Sequence, residues 1–303
     1  MRTFWNWLAP TAVTGWVVTI AWLNLVGNLI IIGTGGAVRL TGSGLGCPTW
    51  PQCTDTSFVP TAEQGLHGLI EFANRLMSPV LGILAVLALI AVWRIRASRR
   101  DLWVHAWIVI GGILVQGVLG GIIVLTRLQM STVGIHYAIS AALVAVSASF
   151  VIRASRPAGP RVRSVPGWMA GLTYVAALLL VLVVGGGIVT TQNGPHSGDA
   201  DVIRDSSAWD TYVHIHSFLS YALVVVLLVL LAGSAILRAR PYLMRLVILI
   251  LVIGAQIVVG ITQAQLGIPP LLVGIHMVIA GIATAVMVAL VYALKRPVHA
   301  QLD

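Results

Sequence analysis

VGIH occupies residues 133–136, inside STVGIHYAIS, and returns at residues 273–276, inside LLVGIHMVIA, an interval of 140 residues in a chain of 303. Four shared letters are weak evidence alone. At the same interval, however, Gln116 and Gly120 recur as Gln256 and Gly260. GTGGAVRLTGSG (33–44) also resembles VGGGIVTTQNG (184–194), each near the end of an apolar stretch. Self-similarity at a fixed interval is the mark of duplicated architecture. The chain therefore reads as two halves, 1–155 and 156–303, each with its own copy of one histidine setting.

The stretches around these motifs fix the class. The chain is 58% hydrophobic and 9% charged, with a mean hydropathy of +0.96. That composition excludes a soluble domain and points to a polytopic membrane protein. Eight apolar segments of spanning length run over 13–36, 66–93, 104–126, 132–152, 168–190, 211–237, 242–265 and 271–294. In lipid each should be a helix, because the backbone must satisfy its own polar groups. The expected fold is all-α, with two four-helix bundles of eight spans in total. Four is even, so both halves enter the membrane in the same direction and the repeat is parallel. The first apolar run continues through GNLIIIGTGG without a cleavage site, so it reads as a retained span.

The net charge of +9 orients the protein and does not mark a nucleic-acid binder. Arg94, Arg96, Arg99 and Arg100 follow the second segment; Arg153, Arg156, Arg161 and Arg163 follow the fourth. Arg238, Arg240 and Arg245 lie between six and seven, and Lys295 and Arg296 follow eight. Basic and non-basic connections alternate, which is the positive-inside pattern with both termini in the cytoplasm of a cell-membrane protein. Asp199, Asp201, Asp205 and Asp210 then fall in an outer loop. So do the only two cysteines, Cys47 and Cys53 of CPTWPQC. An oxidising compartment favours a disulfide, with a redox-active pair as the alternative; two cysteines without a His/Cys set make a poor zinc site.

His67, His136, His214, His216 and His276 all lie near the outer beginnings of even-numbered segments, at one membrane depth. His105 opens segment three at the inner side, and His196 and His299 lie in a loop and the tail. A single such histidine is often helix glue. A set at one depth, two per bundle, is how a four-helix core holds a cofactor, and a haem between two imidazoles suits an apolar site. His214 and His216 point to different faces. ANRLMS (73–78) in register with IHSFLS (215–220) sets His216 opposite Asn74 and Val213 opposite Glu71. The second half thus has a complete pair, His216 and His276. The first has His136, Asn74 and an acid, Glu71, whose structural explanation is an ion pair with Arg75 and whose functional one is a carboxylate beside a substrate.

GGAVRLTGSGLGCPTWPQC (35–53), EFANR (71–75) and the paired histidines together resemble the heme A synthase family, over nearly the whole chain. The resemblance implies oxidation of the C8 methyl of heme O to a formyl group by two hydroxylations and loss of water, giving heme A for terminal oxidases. It implies heme b as cofactor on His216 and His276 in the second half. Heme O would bind as substrate in the first half near His136, with Glu71 as the essential carboxylate. Cys47 and Cys53 match the family's outer cysteine pair. Heme O synthase and an electron donor are the implied partners, beside the lipid bilayer, and the oligomeric state is left open. One position departs: the family's Glu-x-x-His-Arg reads Glu71-Phe-Ala-Asn74-Arg75 here. Either the substrate iron keeps His136 alone, or His67, about 10 Å further along the helix, reaches it. Arg39, Arg75 and Arg127 are candidates for the haem propionates. The rival readings are a di-haem electron carrier or quinol oxidoreductase, which should keep both histidine pairs, and a transporter, which needs polar groups at the midplane.

Overall fold

The computed structural model describes residues 2–202 and 206–298; Asp205 and His299 lie outside the described residues. A short helix, α1 (Arg2–Leu8), precedes eight long ones: α2 (Gly15–Leu40), α3 (Gly65–Trp93), α4 (Arg100–Leu125), α5 (Met130–Ala154), α6 (Gly167–Gln192), α7 (Trp209–Ile236), α8 (Arg240–Gln265) and α9 (Pro270–Tyr292). All eight are long and apolar enough to cross a membrane, and each lies within four residues of the segment expected from hydropathy. A 26-residue helix is about 39 Å long, enough to span the hydrocarbon layer with tilt. The fold is that of a multi-pass membrane protein. Leu114, Val225 and Leu251 are more than half exposed, as helix faces solvated by lipid should be.

Helix α2 packs on α3 and α5, α4 on α3 and α5, α6 on α7, and α8 on α7 and α9. α2 and α5 also meet α9, and α6 meets α5 and α9, so the groups α2–α5 and α6–α9 are joined through these helices. Small residues allow close approach where it is tightest. A Cβ added to Gly112 would collide with the Leu143 side chain, and one at Gly233 with the Trp168 ring. In lipid such contacts replace the hydrophobic effect as the glue between helices. Two features lie outside the reading of the sequence. One is α1, whose Trp7 ring stands 4.6 Å from that of Trp16. The other is a ribbon in which β1 (Arg161–Arg163), from the basic linker, pairs antiparallel with β2 (Lys295–Pro297).

The connections at the opposite end from this ribbon interlock. Gly44 N–H donates to Gly198 O at 2.8 Å. Arg39 donates to His196 O (2.8 and 2.7 Å) and to Thr191 O (2.5 Å). The His196 ring reaches Ile268 O at 2.8 Å, through Nε2–H since a carbonyl only accepts. These ties roof the helices at the end where the histidine-bearing helices begin.

Candidate functional site

One cavity of about 550 Å³ lies under this roof, within the range of small-molecule and cofactor pockets. It runs across both helix groups and is lined by Asn74 and His136 of the first and His216 and His276 of the second.

In the second half, the His216 and His276 rings face each other with centroids 6.3 Å apart, at 67°. His216 Nδ1 lies 2.9 Å from Val183 O. A carbonyl can only accept, so Nδ1 carries the proton and Nε2 keeps its lone pair. A carbonyl on the far nitrogen in this way aims an imidazole at a metal. His276 Nδ1 is buried and without a partner among the described residues, and Gln256 donates to the His276 carbonyl at 3.0 Å. Glycines leave the rings room: a Cβ at Gly187 or Gly260 would stand 3.2 or 3.1 Å from a ring carbon of His216 or His276. Two imidazoles sharing a metal, each nitrogen about 2 Å from it and about 1 Å from its ring centre, put the centroids roughly 6 Å apart. The pair, its glycine cradle and its apolar walls of Leu180, Val184 and Leu223 therefore fit a flat macrocycle with an axially bound iron. His214 faces away, exposed, with Nδ1 on Asp210 O at 2.6 Å.

The first half repeats half of this. Gln116 donates to the His136 carbonyl at 3.0 Å, and also to Ser140. His136 Nδ1 is buried without a partner among the described residues, and Gly120 faces the His136 ring. Opposite it stands Asn74, whose Oδ1 accepts from Thr34 at 2.7 Å and lies beside Gly35 as His216 lies beside Gly186. His67 is not among the residues lining the cavity; it is exposed and bonded to Ser43 at 2.9 Å.

Glu71 is 5% exposed and lines the cavity. Its Oε1 accepts from Arg75 Nε at 3.0 Å and Nη2 at 2.5 Å, and its Oε2 accepts from Cys47 N–H at 2.7 Å. Arg75 also donates to the carbonyls of Thr49 (3.0 Å), Gln52 (3.1 Å) and Cys47 (2.7 Å). Guanidinium has five donors, and all five are engaged, so Arg75 has none to spare for a propionate. Arg39 lines the cavity, whereas Arg127 is exposed outside it. Cys47 and Cys53 are disulfide-bonded, and the loop they close sets Trp50 and Pro51 into the cavity wall, Trp50 against Gly121. The Glu71–Arg75 pair thus staples the disulfide loop over the first half. Removing the bridge from a loop this short should cost about 2 kcal/mol. Peptide mapping under thiol trapping should find the linked 47–53 peptide; two free thiols would overturn it.

Two features escaped sequence reasoning. Trp50 is one; its only signal was its place between the cysteines. The other is Tyr137, which directly follows His136 and donates its hydroxyl to the carbonyl of Met277, the residue after His276, at 3.3 Å. The two histidine settings are therefore joined by one hydrogen bond.

An eight-span membrane protein whose cavity carries a facing histidine pair at one end and a histidine with a buried carboxylate at the other belongs to the class of intramembrane cofactor-binding proteins. The sequence pattern of one family matches residues 18–291. The chain belongs to that family, COX15-CtaA, the cytochrome oxidase assembly proteins. It is similar to the heme A synthase of Halalkalibacterium halodurans, at 28% identity over 171 residues, covering 55% of this chain and 57% of that one. The heme A synthase of Alkalihalophilus pseudofirmus is 29% identical over 120 residues, 39% and 40% of the two chains. That of Bacillus cereus (strain AH187) is 33% identical over 125 residues, 40% of each. The chain spans about half the length of the curated relatives it matches.

Proposed function

We propose that this protein is a heme A synthase, oxidising the C8 methyl of heme O to a formyl group in the first half of the cavity. The carrying observation is the asymmetry of one cavity: a complete histidine pair in one half, and His136, Asn74 and Glu71 in the other. In this reading His216 and His276 hold a heme b, which supplies one-electron transfer when bound. His216 is kept in the ligating tautomer by the Val183 carbonyl. His136 takes the substrate iron on one side. Asn74, tied to Thr34, stands where a second histidine would close the other side and leaves that face to the reaction. Arg75 and the Cys47 N–H fix the Glu71 carboxyl group at the wall, beside the substrate. The disulfide loop, with Trp50, excludes water from above. The hydrogen bond from Tyr137 to the Met277 carbonyl gives electrons a short route between the halves, with the reductant entering through the second. Both termini face the cytoplasm, following the basic loops, and the two halves are read as a duplication.

A di-haem carrier would retain equivalent ligands in both halves, and Asn74 argues against it. The test is haem extraction and chromatography from a host that makes heme O and has no other route to heme A. Expression of this chain is expected to convert heme O to heme A. Unchanged heme O in the presence of folded, membrane-inserted protein would overturn the reading.

A further inference from the structure

At the opposite end from the histidines, where α6 and α8 begin and α7 and α9 end, lies a second cavity of about 620 Å³. Six cations line it: Arg156, Arg238, Arg240, Arg245, Lys295 and Arg296. Among the described residues no aspartate or glutamate does. Among the described residues every ion pair lies elsewhere, on Glu71 or Asp101. The beginning of α8, with Pro241 as its second residue, adds the positive end of a 26-residue helix.

The surroundings make this crowding costly. In the adjoining ribbon Arg163 stands directly across from Lys295, and like charges directly opposite destabilise a strand pair. Arg161 on the same strand has its Nη1 buried without a partner. Arg156 gives one bond to the Tyr292 carbonyl at 2.9 Å. Burial, then the neighbouring Arg245 and Arg161 charges, lower its pKa from the ordinary guanidinium value. Cations gathered on a ribbon and the neighbouring helix ends, with no acid among the described lining residues, make a site of one sign that attracts an anion.

The edge of the pocket says which anion. Leu237, in the lining, is 48% exposed, Ile236, which precedes it at the end of α7, is 80% exposed, and Met244, near the start of α8, is 61% exposed. Cations at the ends of spans, next to bare apolar side chains, match a headgroup with its acyl chains rather than a free ion. We infer that this pocket binds one anionic phospholipid carrying two phosphates, its headgroup among Arg156, Arg240, Arg245 and Arg296 and its chains along α7 and α8. Its role is to fasten the ribbon, and so the linker between the halves, to the membrane surface. The inference is independent of the chemistry proposed for the histidine cavity.

The test is titration of full-length, delipidated protein in neutral detergent with tetraoleoyl cardiolipin, counting bound lipid by native mass spectrometry. One saturable molecule is expected, bound more tightly than dioleoyl phosphatidylglycerol. Changing Arg240→Gln, Arg245→Gln and Arg296→Gln together is expected to weaken it roughly 100-fold, as loss of three interfacial cations implies. Changing Arg94→Gln, Arg96→Gln and Arg100→Gln removes equal charge at the other half and is expected to leave binding intact. Should the first triple variant fail to fold, Arg296→Gln alone, on the exposed ribbon, is expected to weaken binding about fivefold. Equal loss in the control triple, displacement of the lipid by equimolar pyrophosphate, or only non-saturable lipid uptake would each overturn the proposal.

Discussion

Replacing His276 with leucine is expected to abolish the low-spin haem signal of the purified protein, and His216→Leu to do the same. Both rings face one another across 6.3 Å, and neither Nε2 is bonded to protein among the described residues, so each is available as an axial ligand. Leucine fills the same volume against Gly187 or Gly260 but offers no lone pair, so the helices should still pack. His136→Leu separates the two halves: it is expected to keep the low-spin signal and to lose heme A formation. His67→Gln is expected to change neither, because its ring touches Ser43 outside the cavity. The measurements are reduced-minus-oxidised optical spectra and haem chromatography on equal amounts of protein. An unchanged low-spin spectrum in both His216→Leu and His276→Leu would remove the heme b assignment while leaving the family membership intact.

Glu71→Gln is expected to lower heme A formation about 100-fold, the lower range for loss of a positioned acid–base group. Its interpretation depends on Arg75. The pair is mostly buried, with side chains 6% and 18% exposed, and breaking such a pair costs about 3–5 kcal/mol when one charge is left unpaired. Glutamine retains an acceptor for Arg75 but turns an N–H toward the Cys47 N–H, or the reverse, so the disulfide loop should loosen in any case. Arg75→Lys is the matching variant. It keeps the charge beside Glu71 yet cannot make five hydrogen bonds from one ammonium with three donors, so it loosens the same loop with the carboxylate still present. Loop integrity is read by the rate of limited proteolysis between residues 47 and 61. At matched cleavage rates, Glu71→Gln is expected to accumulate heme O or its hydroxylated product, while Arg75→Lys still makes heme A at a reduced rate. Equal loss in the two variants, tracking loop cleavage, would reduce Glu71 to an anchor.

Much of this molecule was legible in its sequence because lipid makes local rules decisive. A segment of about twenty apolar residues has no alternative to a helix in a bilayer, so eight spans, their order and the alternation of basic loops follow from hydropathy and charge alone. The 140-residue interval carries Gln116 and His136 onto Gln256 and His276, and in the fold each glutamine donates to its histidine's carbonyl at 3.0 Å. Register along a helix chose His216 over His214, whose ring turns out to face Asp210 O. The compartment argument favoured the Cys47–Cys53 bond.

What the tertiary structure decided is everything that depends on where loops close. Sequence spacing put His67, Glu71 and Asn74 on one helix face. Only the folded loop shows that His67 is held outside by Ser43 while Glu71 turns in beneath Cys47. Arg75 read equally well as a ligand for propionates; its five donors are used by three loop carbonyls and Glu71, a fact invisible in one dimension. That both histidine settings open into one cavity, joined from Tyr137 to Met277, rests on α5 packing against α9, residues more than a hundred positions apart. Hydropathy and register are properties of neighbours in sequence. A hydrogen bond is satisfied by whatever group the fold brings within about 3 Å, and only the assembled helices decide which group that is.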